Sequence, residues 1–178
     1  MLSGRFSQED DPPATLIRRR NMDGLTIALL GAGIAVFLAG IGSAVGIAKA
    51  GQAAAGVLSE KPEKFGEMFL LVALPGTQGI YGFAVGFMTI LKLGLIGAGS
   101  PVSPTMPQGL LLFAACLPVA VAGLVSGIHQ GKVCASGVGV VAKQEGKFGL
   151  AVIYGILVET YALLGFVTSI LVVLSVKL

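Results

Sequence analysis

The sequence predicts an all-α membrane protein whose four transmembrane helices form two duplicated, parallel-repeat helical hairpins able to assemble into a ring. Three observations carry that expectation. Only 12% of the 178 residues are charged and 54% are apolar, roughly half the charged share of a soluble domain, and the mean hydropathy is +0.89, which leaves too little polar surface to cover a water-exposed globule. The uncharged stretches are each long enough to cross a bilayer. Finally, the two halves of the chain match one another at a fixed offset, which is the mark of an internal repeat.

The first segment, 1–21, contains Glu9-Asp10-Asp11-Pro12-Pro13 and Arg18-Arg19-Arg20. It is expected to be a flexible tail, or sequence added by an early start codon, because Met22 directly precedes the first apolar stretch. The first span covers 24–48 and the second 68–91. A third uncharged run, 93–131, is broken by Gly97, Gly99, Ser100, Pro101, Pro104 and Pro107. That cluster cannot be helix interior, so the third span begins near Gln108. The fourth, 148–176, is interrupted only by Glu159. Spans of about 24 to 29 residues cross the roughly 30 Å hydrocarbon core at 1.5 Å per residue. Short charged segments at 59–64 and 143–147 join first to second and third to fourth, as antiparallel hairpins require. The hairpin units are therefore expected at 22–104 and 105–178.

At an offset of 83, Ala39, Gly40, Ser43 and Lys49 align with Ala122, Gly123, Ser126 and Lys132, and Lys64-Phe65-Gly66 aligns with Lys147-Phe148-Gly149. Leu74, Thr77, Gly82 and Phe83 align with Leu157, Thr160, Gly165 and Phe166. Shared charged loop positions argue for duplication over chance apolar matching. Both repeats start on the same side of the membrane, unlike inverted transporter halves. Glu159 aligns with Gly76, so the duplication leaves one intramembrane carboxylate per chain.

Lysine and arginine number six on the hairpin-loop side and six on the side of the termini, so the positive-inside rule ties over the whole chain. Without 1–21 the count becomes six against two, which makes the hairpin loops cytoplasmic. The mature protein is expected to start at Met22, or its tail to be ignored as a topology signal.

A charged group at the bilayer centre costs at least a few kcal/mol, so Glu159 needs partners or a function. Glu159 lies about 18 Å along its helix from Lys147, Gln130 about 20 Å from Lys143 and Gln78 about 21 Å from Lys64. If the hairpins turn at similar heights, the three share one depth. Leu74, Thr77, Gln78 and Tyr81 fall on one helix face at i, i+3, i+4 and i+7. Pro75 disturbs the same stretch, loosening backbone carbonyls that can then face a cation. Two amide oxygens, a hydroxyl and a carboxylate form an all-oxygen set of single negative charge, suited to a hard monovalent cation and not to a transition metal. Na⁺ is the first candidate. A proton carried on Glu159 is the rival, although it gives no reason for two glutamines and a threonine at that depth. Tyr81 is either packing or a hydroxyl reaching the site, and intramembrane Gln and Thr also serve as plain interhelical hydrogen-bond glue.

Gly42 and Gly46 on the first helix, and Gly123, Gly127 and Gly131 on the third, form small-xxx-small ridges that let backbones approach closely. They predict an inner layer of the first and third helices. The run 40–46 lacks the spacing, strand and lysine of a nucleotide loop. Cys116 and Cys134 read as small buried residues, His129 as incidental, and the modest net charge of +3 gives nucleic-acid binding no support.

The stretches Leu74-Pro75-Gly76-Thr77-Gln78-Gly79-Ile80-Tyr81-Gly82, Gly127-Ile128-His129-Gln130-Gly131-Lys132 and Val158-Glu159-Thr160-Tyr161-Ala162 resemble the signatures of the rotor-ring proteolipid of V-type and A-type ATPases, most closely the sodium-transporting bacterial form with four helices. The resemblance runs from Met22 to the C-terminus. It implies a non-catalytic subunit of a homo-oligomeric ring in the lipid bilayer, turned by a central stalk that ATP hydrolysis drives. It also implies Na⁺ ligands at the Leu74 carbonyl, Thr77, Gln78, Gln130 and Glu159, with Tyr81 hydrogen-bonding Glu159 and a stator subunit supplying an arginine. One carboxylate per four helices implies few ions per ATP, hence a pump in preference to a synthase. The other readings are a proton-carrying rotor, a channel or transporter, which parallel repeats and only four helices disfavour, and a structural oligomer, which leaves Glu159 without a role.

Overall fold

The computed structural model describes residues 14–97 and 101–178, with the side chains of 23–97 and 101–178. Every regular element among them is helical: α1 (Ala14–Leu58), α2 (Phe65–Ala73), α3 (Thr77–Lys92), α4 (Met106–Lys143) and α5 (Phe148–Ser175). Short 3₁₀ turns at Pro62–Lys64 and Leu74–Gly76 precede α2 and α3. Four helical stretches are long and apolar enough to cross a membrane: Asp23–Leu58, Pro62–Lys92, Met106–Lys143 and Phe148–Ser175. The expected count of four holds, and α2 and α3 together make the second span.

The bounds differ from the uncharged windows in three places. Of the expected tail, 1–13 lie outside the described residues, but 14–21 continue α1 as helix. That stretch has no Gly or Pro and three arginines, which are good helix formers, so a helix nucleated in the apolar span propagates through it. α1 and α4 also run past Lys49 and Lys132, which the windows excluded, to Leu58 and Lys143. A lysine halts a hydropathy window but not a helix. α4 begins at Met106, with Pro107 in its first turn, where no N–H is required. The Gln108 side chain accepts from the Thr105 N–H at 2.8 Å, closing a capping box. Pro118 lies inside α4, where Val119 N–H donates to Ser169 Oγ at 3.0 Å and ties the interrupted stretch to α5.

α1 and α4 form the inner pair through the glycine ridges. A Cβ on Gly42 would lie 2.7 Å from Leu124 Cα, one on Gly127 2.6 Å from the Gly42 carbonyl carbon, and one on Gly131 would overlap the Gly46 backbone. Two apolar clusters flank this contact. One contains Ala35, Val85, Leu112, Cys116 and Val119; the other contains Ala50, Met68, Leu71, Cys134 and Val138. Both cysteines are buried and free.

The two hairpins repeat their internal contacts. A Cβ on Gly82 would meet the Ala35 carbonyl and Ala39 Cβ, and one on Gly165 would meet the Pro118 carbonyl and Ala122 Cβ. Each of these residues is 83 positions from its counterpart. Lysines join the hairpins at their ends: Lys61 Nζ donates to the Ala142 carbonyl and Lys64 Nζ to the Val141 carbonyl, both at 2.8 Å. Lys92 Nζ reaches the Leu174 carbonyl at 3.0 Å. These ammonium groups satisfy carbonyls that a helix C-terminus leaves unpaired.

The inner contact yields a prediction. Gly127→Ala forces a methyl into the α1 backbone and costs about 1–3 kcal/mol, whereas Gly139→Ala meets nothing within 4 Å in the chain. Thermal unfolding in detergent is expected to show a lowered midpoint for the first variant and an unchanged or raised one for the second.

Candidate ion-binding site

The site begins with a break in a helix. Pro75 has no N–H to give the carbonyl of Leu71, and the backbone tightens there into the 3₁₀ turn Leu74–Gly76. The Leu74 carbonyl accepts from the Thr77 N–H and from Thr77 Oγ1 at 3.0 Å. Helix α3 then starts, projecting Gln78 inward toward α4 and Tyr81 toward α5 one turn later. Pro75 is itself buried, packed near Gly46.

Three helices meet at the centre. Gln78 and Gln130 are fully buried and Glu159 is 8% exposed. Gln78 Nε2 donates to Gln130 Oε1 and, at 3.4 Å, to Ser126 Oγ. Gln130 Nε2 donates to the Gly155 carbonyl at 3.1 Å and to Glu159 Oε2 at 3.4 Å. Tyr81 O–H donates to Glu159 Oε1 at 2.7 Å, and its ring stacks on Phe166 with centroids 4.9 Å apart. Each carboxylate oxygen thus receives one donor, from a different helix.

The donors in this network are spent while acceptor capacity is left over. Both amide nitrogens give to two partners, yet Gln78 Oε1 is buried and has no hydrogen-bond partner among the described residues. A buried amide oxygen without a partner costs about 1–3 kcal/mol. A desolvated cation held within this group would satisfy it, and the oxygen donors present fit such an ion. An apolar isostere at position 78 would not carry this cost.

The structure joins Gln78, Gln130, Glu159 and Tyr81 in one hydrogen-bonded group, and pairs Leu74 with Thr77 on the adjoining turn of the same helix face. The shared depth inferred from helix rise is therefore a shared location. Tyr81 reaches the carboxylate and is not packing alone. His129 is exposed, its Nδ1 donating to the Val125 carbonyl at 2.8 Å, and stands apart from the group. Ser126 and Gly155 belong to the site without having been marked for it. Ser126 Oγ donates to the Val158 carbonyl at 3.0 Å and orients Gln78; its spacing of four before Gln130, on the same α4 face, was the available signal. Gly155 lacks the side chain that would meet Cys134 Sγ and Leu74 Cδ1 at 3.2 Å.

Comparison with known proteins agrees with the duplicated hairpin. The family model of the ATP synthase C subunit matches twice, over 30–89 and 113–172, the same 83-residue offset as the internal repeat. The V-type sodium ATPase subunit K of Enterococcus hirae is 45% identical over 152 residues, covering 85% of this chain and 93% of that protein. The A-type ATP synthase subunit K of Methanocaldococcus jannaschii is 39% identical over 155 residues, 87% of this chain and 65% of that one.

Tyr81→Phe removes the hydrogen bond that holds Glu159 inward. Carbodiimide modification of Glu159 is expected to proceed several-fold faster in this variant, and at the parental rate in Tyr154→Phe, whose ring is exposed elsewhere on α5. Mass spectrometry of the labelled peptide measures both.

Proposed function

This chain belongs to the ATP synthase C-subunit family, and we propose that it is the rotor-ring subunit of a V/A-type rotary ATPase and carries Na⁺ on Glu159. The observation that most supports the ion is the unpartnered Gln78 Oε1, on a side chain linked through Gln130 to the carboxylate. A cation would be coordinated by it together with the other oxygens of this face, an oxygen set that carrying a proton on Glu159 alone does not require.

In this reading the ligands are the Leu74 carbonyl, Thr77 Oγ1, Gln78 Oε1, Gln130 Oε1 and a Glu159 oxygen. Thr77 keeps lone pairs after donating its proton to Leu74. Tyr81 and the Gln130 amide hold the carboxylate in position as the ion enters and leaves. The chain itself hydrolyses nothing; its units 22–104 and 105–178 form the carrier, turned by a central stalk. Its hairpin loops face the cytoplasm and its far ends the opposite side.

Charge couples rotation to occupancy. With Na⁺ bound, Glu159 is neutralised and can pass through the lipid. Without it, the bare carboxylate costs about 2.5–3.5 kcal/mol or more at mid-membrane and is tolerated only beside a positive, hydrated stator surface, where an arginine of the partner subunit displaces the ion. One carboxylate per four helices lowers the ions moved per ATP, so each is driven against a steeper gradient, and the machine works as a pump.

Glu159→Gln is expected to abolish ATP-driven ²²Na⁺ uptake by reconstituted complex while the oligomer still assembles; full transport in that variant would exclude the rotor mechanism. Na⁺ is expected to protect Glu159 from carbodiimide at constant pH, and Gln78→Ala to raise the Na⁺ concentration needed about tenfold, the equivalent of roughly 1.4 kcal/mol. Labelling indifferent to Na⁺ identifies a proton carrier instead.

A further inference from the structure

The hydrogen bonds of the Gln78 side chain take their direction from two backbone carbonyls of α5, which accept protons and never donate them. The Gly155 carbonyl receives Gln130 Nε2 at 3.1 Å. The other end of that amide, Oε1, is therefore what Gln130 presents to Gln78, and Gln78 meets it with Nε2. The Val158 carbonyl receives the Ser126 hydroxyl proton at 3.0 Å. With that proton committed, Ser126 Oγ has only lone pairs to offer α3, and it accepts from the same Nε2 of Gln78 at 3.4 Å. Both protons of the Gln78 amide are thus drawn toward α4, and Oε1 is left without a partner among the described residues.

The backbone that carries Gln78 is held as well. Ser43, 83 positions before Ser126, accepts the Gly79 N–H at 2.8 Å. The two repeat-related serines, both buried, take protons from adjacent residues of α3: Ser43 from the main chain, Ser126 from the side chain. Without the Ser126 contact the Gln78 amide keeps one of its two anchors. Rotation about its last side-chain bond, whose torsional minima are broad, then lets Oε1 swing toward a donor before any ion arrives. An acceptor already satisfied within the protein gains less from a cation, so a tight site is one that keeps the oxygen pre-organised and unpaired.

We infer that Ser126 is a positioning residue of the ion site: by taking an amide proton of Gln78 it keeps Oε1 free for the cation, and so raises the affinity for Na⁺. The inference rests on the Na⁺ reading and adds to its ligands a residue that touches no ion. The side-chain hydrogen bonds of Ser126 go to Gln78 and Val158, so its hydroxyl reaches the ion through Gln78. The reactivity of Glu159 in the absence of Na⁺ does not depend on it.

The test is Na⁺ protection of Glu159 from carbodiimide in the full-length protein in membranes, at constant pH, read by mass spectrometry. Ser126→Ala is expected to raise the Na⁺ concentration for half-protection about threefold or more, the size of one lost hydrogen bond, with labelling in Na⁺-free buffer at the parental rate. Ser126→Thr keeps the hydroxyl, and a cavity of about 330 Å³ that Ser126 borders has room for the added methyl. This variant is expected to stay within about twofold of the parent, the range over which uncoupled changes scatter. In a Gln78→Ala background, Ser126→Ala is expected to add less than about a twofold rise, because a residue that acts through another has nothing left to act on. Four results overturn the positioning role and leave the Na⁺ reading standing: parental protection in Ser126→Ala, a changed rate without Na⁺, a Thr variant as impaired as the Ala variant, or the full rise repeated in the Gln78→Ala background. Labelling of the unsubstituted protein that ignores Na⁺ overturns the Na⁺ reading and this inference with it.

Discussion

The backbone-to-backbone contact of α1 with α4 is the constraint on which the rest of the molecule depends. Lipid tails are as apolar as leucine, so helices in a bilayer associate through close packing and polar contacts, not through exclusion of water. Gly42 and Gly46 on one side, and Gly123, Gly127 and Gly131 on the other, remove the side chains that would hold these helices apart. That approach brings Gln130, between Gly127 and Gly131, within reach of Gln78 on the second span and of Glu159 on the fourth. The packing ridge and the polar group are thus one device, read on neighbouring faces of α4.

The duplication explains which residues are scaffold and which are not. Contacts inside the hairpins recur, as Gly82 with Ala35 and Ala39, and Gly165 with Pro118 and Ala122. Serine recurs too, but with different work: Ser43 Oγ accepts from the Gly79 N–H at 2.8 Å, while Ser126 Oγ gives its proton to Val158 and receives Gln78. Where the repeats diverge, polarity moves. Gly76 stands opposite Glu159, Ile47 opposite Gln130 and Tyr161 opposite Gln78. Each hairpin therefore supplies part of a single site, and the two have ceased to be interchangeable.

Much of this was legible from residue order. Four spans, two hairpins and the repeat follow from the charge-free runs, the short loops Ser59 to Lys64 and Lys143 to Lys147, and the 83-residue offset. The common depth of Gln78, Gln130 and Glu159 follows from a fixed rise per residue. Helix ends were less legible, because hydropathy stops at Lys49 and Lys132 while the α-helical hydrogen bonds continue past them. Pro118 gave no warning of its tolerance inside α4, which depends on α5 lying beside it with Ser169.

By itself, then, the sequence determined the membrane class, the helix count, the ridges and the height of the mid-span carboxylate Glu159, since each depends on composition or on distance along a helix. The tertiary structure alone decided which atoms meet at that height. Rotation of each helix about its axis is set by side chains packing across interfaces, and that rotation turns Tyr81 and Gln130 onto opposite oxygens of Glu159. The same packing engages the side-chain amide protons of Gln78 and Gln130 and leaves Gln78 Oε1 without a partner among the described residues.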